Sequence, residues 1–310
     1  MFAYRRNVVS GAQFARHLLF GASLAVLLAV PATALHAADE AKDEAEKETQ
    51  SATEAMQAES VDKTNPCFNG EGSIEEVLRA CKVYIDADEG TDEEHVIIAH
   101  GNRAYALSAM GDVDGAIKEL NDAIAIDDER AVLYLSRARA YGVQKKYDEA
   151  LDDLEKTVEL QPDSAAPHIL RGKIYELQDK QDEALDEYTA GLEKNAEYVP
   201  GYQNRGTLHR TMKDFGKAED DFTKVVELEP SNAQSYVDRG WVYVLEDKLD
   251  EAKDDFEKAL TLQDNNAFAI AGIGVVKSRQ GEPTDGSADL SMARKLEPDI
   301  FDKIRALGVE

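Results

Sequence analysis

"YVDRGWVYV", residues 236–244, puts Arg239 in the middle of an otherwise apolar helix face. Thirty-four positions earlier the chain reads "YQNRGTLHR", residues 202–210, with Arg205 beside another glycine. Burying a cation is costly unless an acid meets it, so its regular return is a statement about structure. Working outward, the chain repeats every 34 residues from about Ile97, with starts at Ile97, Ala131, Ala165, Val199, Ala233 and Ala267 and no gap. Within each unit the eighth position is small: Ala104, Ala138, Gly172, Gly206, Gly240 and Gly274. The twentieth is small too, from Ala116 to Gly286, and the twenty-fourth is Leu120, Leu154, Tyr188, Phe222, Phe256 or Leu290.

Each half of a unit shows apolar spacing near 3.6, and turn residues such as "MGDVD", "KDFGK" and "QGEPTD" separate the halves. An antiparallel helix pair is predicted. Small residues at positions eight and twenty let the two backbones approach, and the large residue at twenty-four fills the space beside them. Neither helix can bury its apolar stripe alone, so pairs must stack on one another. The expected fold is all-α, a right-handed superhelical solenoid of stacked antiparallel helix pairs.

This register resembles that of tetratricopeptide repeat proteins over residues 97–298, six consecutive units of the family's period. Units depart from the pattern in places. The aromatic usual at position eleven is Tyr141, Tyr175 and Tyr243, but Leu107, His209 and Lys277 elsewhere. The sixth unit has Gly286 for alanine and Pro283 near its turn, so its second helix is expected to start late. Residues 66–96 resemble a truncated unit, with "SIEEVLRACKVYIDA" as its second helix. "DIFDKIRALGVE", after Pro298, is expected to be a capping helix over 299–310 that covers the last apolar face.

The arginines now have an explanation. Arg103, Arg137, Arg171, Arg205 and Arg239 all stand at position seven, and Glu119, Asp153, Glu187, Asp221 and Asp255 at position twenty-three. In an antiparallel pair these lie near one level, so a ladder of partly buried ion pairs is expected. The rival reading is a cationic stripe for an acidic ligand; periodicity in both partners favours the ladder.

N-terminal to the repeats, Arg5 and Arg6 precede a largely apolar run from Leu18 to Val30, then Pro31 and the small-residue sites "ATA" and "LHA". This order reads as a secretory signal over 1–37, cleaved after Ala34 or Ala37. The run is short for a membrane span, which disfavours an uncleaved anchor. Residues 38–65 are rich in Ala, Glu, Lys and Thr and read as a solvated acidic spacer. An exported, periplasmic protein is expected, with secretion as the variant. In that setting Cys67 and Cys81, the two cysteines of the chain, are most simply a disulfide, and two free thiols are the alternative.

The formal net charge is -27. Such acidity repels phosphate backbones and anionic lipid, so nucleic acid and membrane surfaces are not expected partners. No nucleophile elbow, Gly-rich phosphate loop or zinc spacing is present, and no catalytic residue, cofactor or metal is expected. "GIGVVK", residues 272–277, lacks the remaining glycine of a dinucleotide fingerprint. "DADEGTDEEHVI", residues 86–97, sets Asp86, Asp88 and Asp92 like a calcium loop, but its glycine is displaced and Ile97 replaces the closing Glu. It reads as an acidic connector.

The family resemblance implies that the first helices line a concave groove, with positions two, five, nine, twelve and thirteen pointing into it. Those positions supply Tyr105, Arg139, Lys173, Gln203, Thr207, Arg210, Trp241, Phe268 and Arg279. Trp241 is either a binding hot spot or packed between neighbouring first helices. The carboxylate clamp of chaperone-binding repeats is not matched: Lys173 and Asn204 are followed by Gln234 and Asp238 where cations are required. The expected function is non-catalytic binding of an extended peptide or protein segment in the groove, as an adaptor or assembly scaffold. Self-association is the alternative, and an enzyme is the reading with least support.

Overall fold

Position fifteen of every unit is where the chain reverses, and its backbone explains why the pairs are so uniform. Gly111, Lys145, Asp179, Lys213, Asp247 and Gly281 all have positive φ, the four non-glycines between 59° and 63°. In each unit the amide of position sixteen donates to the carbonyl of position eleven, as in Lys146 to Tyr141 (2.9 Å) and Asp214 to His209 (2.8 Å). The amide of position fifteen donates to position twelve, as in Lys145 to Gly142 (3.0 Å). This is the Schellman closure, which satisfies the last carbonyls of the first helix and turns the chain sharply.

The computed structural model describes residues 65–86 and 92–309. The expected signal segment, nearly all of the spacer and Asp88 lie outside them. The described residues form fifteen helices and no strand. They are α1 (Pro66–Asn69), α2 (Ile74–Ile85), α3 (Glu93–Ala109), α4 (Val113–Ile126), α5 (Ala131–Val143), α6 (Tyr147–Leu160), α7 (Ala166–Leu177), α8 (Gln181–Lys194), α9 (Val199–Thr211), α10 (Phe215–Leu228), α11 (Ala233–Leu245), α12 (Leu249–Leu262), α13 (Ala267–Arg279), α14 (Pro283–Leu296) and α15 (Ile300–Ala306). The fold class is the expected all-helical array of repeats.

All six second helices begin at position seventeen and run 14 residues. The late start expected in the sixth unit does not occur. Pro283 is the first residue of α14, where proline needs no amide partner and its fixed φ suits the helix.

The described chain divides into two compact units between Ile174 and Tyr175. In the first, α3 pairs with α4 and α5 with α6, and α5 packs on α4. Its N-terminal end is closed by α1 and α2, where Cys67, Val77 and Cys81 are fully buried against Ala99 and Ala106 of α3. The two sulfurs stand at disulfide-bonding distance, with Cα atoms 4.8 Å apart. Such a bridge stabilises by about 3 kcal/mol through loop closure. Ser73 and Glu76 cap α2 reciprocally, each side chain accepting from the other's backbone amide.

In the second unit α9 pairs with α10, α11 with α12 and α13 with α14. Its core joins Val237, Trp241, Phe256, Ala269 and Ala271 to Ile300 and Ile304 of α15. The C-terminal helix therefore covers the last pair. The small-residue positions do what their spacing suggests. A methyl on Gly286 would overlap the carbonyl of Gly274, so here alanine is already too large. Phe256 lies against Gly240 of its own pair and Gly272 of the next, and a methyl on Gly272 would overlap its ring.

Candidate functional site

The ladder is the most regular feature of the surface between first and second helices. In the four repeats whose partners fall within one unit, the position-seven arginine meets the position-twenty-three acid. Arg103 lies 3.0 Å from Glu119. Arg137 grips Asp153 through Nε and Nη2 at 2.8 and 2.7 Å, Arg205 grips Asp221 at 3.0 and 2.7 Å, and Arg239 grips Asp255 at 2.8 and 2.8 Å. These acids are buried, and the fork geometry is the strongest an arginine can make.

The free Nη1 of Arg137, Arg205 and Arg239 reaches position twenty-five of the preceding repeat: Asn121 at 2.6 Å, Thr189 at 3.0 Å and Thr223 at 3.4 Å. One side chain thus ties its own pair together and holds the neighbouring pair as well. Hydrogen bonding to the acid holds Arg137, Arg205 and Arg239 above the usual arginine range. Burial pushes the Asp255 carboxyl up even against Arg239. Both carboxyl oxygens nevertheless accept from the guanidinium. In the sixth unit position seven is Ile273, and Lys277 supplies the cation one turn later, 2.8 Å from Asp289. The cationic-stripe reading therefore fails: these charges face acids.

The nine groove residues divide by burial. Trp241 is 1% exposed, edge-on to Phe256 at 5.2 Å, and does not present itself to a partner. Its ring occupies space left by the small residues Ala269 and Ala271 of α13. Phe268 (6% exposed) belongs to the same core, and Arg210 (8%) is buried with its guanidinium 5.8 Å from the Phe222 ring. These three are corrected to packing residues. Tyr105 is half-buried against the N-terminal cysteine cluster. In the first unit Arg139 and Lys173 are partly exposed. In the second, Gln203 and Thr207 are partly exposed, and Arg279 donates to the Val244 carbonyl at 2.8 Å. Gln234 and Asp238, the positions that fail the clamp, bond to each other at 2.9 Å.

The calcium-like loop is a connector at both described ends. Asp86 pairs with Lys82 at 2.6 Å, and the Asp92 side chain caps the start of α3. One histidine and acid grouping was not legible in the spacing: His100, Glu119 and Asp122 have ligand atoms within 4.8 Å of one another. Glu119 is already committed, to His100 Nδ1 at 2.8 Å and to Arg103. The trio thus extends the ladder.

Sequence also missed a cation and tyrosine motif. Lys146, Lys180 and Lys248 at position sixteen lie 5.5–5.8 Å from the rings of Tyr141, Tyr175 and Tyr243 at position eleven. Arg137 and Arg239 also face Tyr141 and Tyr243, at 5.9 and 5.6 Å. The fourth unit breaks this pattern with His209 and Asp214. Beside His209 a cleft of about 380 Å³ opens between α8, α9 and α10.

Two family models described as tetratricopeptide repeat match the chain, one over residues 135–199 and the other over 98–130, 199–232 and 233–266. The chain belongs to the tetratricopeptide repeat family. Among solved structures it is similar to a tetratricopeptide repeat protein from Parabacteroides merdae, 17% identical, covering 84% of this chain and 100% of that one with a TM-score of 0.56. It is also similar to PilF of Pseudomonas aeruginosa, 14% identical, covering 69% of this chain and 97% of that one with a TM-score of 0.58. YrrB, described as a TPR protein with an unusual peptide-binding site, is 22% identical over 61% of this chain and 98% of its own, with a TM-score of 0.49. At these identities the likeness is one of fold. No curated protein matches the chain.

Proposed function

We propose that this protein is a non-catalytic adaptor or assembly scaffold, whose first helices hold an extended segment of a partner protein. The observation that carries this reading is the constancy of register: in every pair the first helix ends, the chain turns, and the second helix starts and ends at the same unit positions, so partly exposed side chains recur at fixed intervals. A preformed surface binds a flexible segment without an ordering cost of its own. Arg139 and Lys173 in the first unit, and Gln203 and Thr207 in the second, are the side chains assigned to contact. The partner is a protein or peptide. The formal charge of -27 argues against nucleic acid and anionic lipid.

The reading includes export to the periplasm, supported by the basic, apolar and small-residue order of residues 1–37. Among the described residues no helix is long and apolar enough to cross a membrane. Cell fractionation followed by mass measurement tests this: the exported form should begin at Leu35 or Ala38, and an intact Met1 in the cytoplasm would refute it.

Photo-crosslinkers placed at Gln203 and Thr207, and at Lys224 and Glu257 on second helices, test the binding surface in cells. Capture from Gln203 and Thr207 is the expected result, and capture from the second-helix pair with none from Gln203 and Thr207 would overturn the assignment. Self-association is the second reading, and a molecular mass by light scattering that rises with concentration would favour it.

A further inference from the structure

The fourth repeat departs from its neighbours where they agree. Units two, three and five carry Tyr141, Tyr175 and Tyr243 at position eleven, each under a lysine from position sixteen. In the fifth unit that lysine, Lys248, also bonds Glu219 of the preceding repeat at 2.5 Å, which closes the surface over the ring. The three corresponding residues one repeat earlier are His209, Asp214 and Leu185. A smaller ring, a reversed charge and an apolar side chain replace the closing set, and a cleft of about 380 Å³ stands there. This lies at the low end of ligand-pocket volumes, enough for one long side chain.

The charges around the cleft are not balanced. Its two cations are committed: Arg205 to Asp221 and Thr189, and Lys217 to Asp214 at 2.7 Å. Asp186 on α8 and Asp220 on α10 line the cleft, are exposed, and carry no ion pair among the described residues. His209, only 7% exposed, lines the same cleft, and its ring makes no hydrogen bond among the described residues. Its nitrogens are not sealed from solvent, so the ring is open to a ligand in the cleft.

We infer that the cleft beside His209 receives a basic side chain, arginine or lysine, from a partner protein, held between Asp186 and Asp220. This is a second contact site, on the side of the second helices, separate from the first-helix surface described above. A cation there gains two carboxylates, and its donors can reach the imidazole. An anion would meet those same two carboxylates with repulsion. A guanidinium suits the site best, since its flat fork can pair with one acid while its face lies against a ring.

The test uses the full chain with its histidines isotopically labelled. Acetyl-arginine amide, and separately an acetyl-Gly-Arg-Gly amide, is titrated while the His209 resonance is followed by NMR. The expected result is a saturable shift at His209 with His95, His100 and His168 unmoved. D186N/D220N should weaken the peptide about tenfold, a change of about 1.4 kcal/mol, while D128N/D264N, an exposed pair elsewhere, leaves it unchanged. H209Y restores the tyrosine of the neighbouring repeats and should abolish binding with thermal unfolding intact. Equal weakening by the control pair, binding retained in H209Y, or phosphate shifting His209 in place of arginine would each overturn the inference. Spermidine binding more tightly than the peptide would overturn the choice of a protein side chain. Should H209Y fail to fold, the D186N/D220N comparison alone decides.

Discussion

Lys145 holds φ at 59°, a conformation in which a side chain crowds its own carbonyl and glycine does not. Gly111 and Gly281 occupy the same turn position in the first and sixth units. Lys145→Gly should therefore stabilise the protein by about 1 kcal/mol, read as a raised urea midpoint at unchanged slope. His209 makes a second prediction. Burial, aided by Lys217 and Arg205 and opposed by Asp221 and Asp214, pulls its ring below the ordinary histidine value of 6.5. A folded value below the unfolded one means that the unfolded chain takes up the proton first. The stability from the neutral ring is complete above pH 6.5 and is lost as the pH falls through the folded value. His209→Gln should flatten that part of the stability profile, measured by urea unfolding across pH 4 to 8. Neither residue's state was legible in the sequence. Nothing marks a lysine as left-handed except its place two residues beyond a helix end. Trp241 was equally ambiguous: burial followed from the small residues of the next first helix, which no single unit displays.

At the scale of the helix pair, the ladder was legible because both partners recur. Position seven alone suggests a cationic stripe; position seven with position twenty-three forces pairing. What the spacing did not reveal is the third contact, from Nη1 to position twenty-five of the preceding repeat, because Asn121, Thr189 and Thr223 are unremarkable polar residues. Asp221→Asn leaves the half-buried Arg205 without its charge, and should cost about 3 kcal/mol in equilibrium unfolding. Arg205→Met removes the cation as well as its link to Thr189, and an Arg205→Met/Asp221→Asn double variant should recover part of the loss. No recovery would mean that the pair acts through packing alone. The late helix expected from Pro283 shows the converse lesson. Inside a helix proline interrupts, whereas at the first helical position it initiates.

At the scale of the whole molecule, the six pairs were legible from period alone, and so were the needs of the two ends. A repeat array buries its apolar faces against its neighbours, so the terminal faces require something else. The N-terminal face has α1, α2 and the cysteine pair, and the C-terminal face has α15, with Ile300 and Ile304 buried. Truncation after Glu297 should expose that face and lower the unfolding midpoint of the second unit while leaving the first unit's amides protected, as hydrogen exchange would show. The binding surface was less legible than the fold. Three of the nine residues expected to contact a partner are core, since helix periodicity assigns a face but not the depth to which the next helix covers it.

The identical turns carry one more implication. Because each Schellman closure recurs at an interval of 34 residues, a copy of residues 199–232 inserted between Asn232 and Ala233 would keep the turn bonds of every repeat and offer Arg239 and Lys248 the same partners, Thr223 and Glu219, across the junction. The chain is thus free to lengthen by recombination in whole modules. A block one residue shorter would turn one of its own helices by about 100° about its axis and take its arginine out of line with its acid.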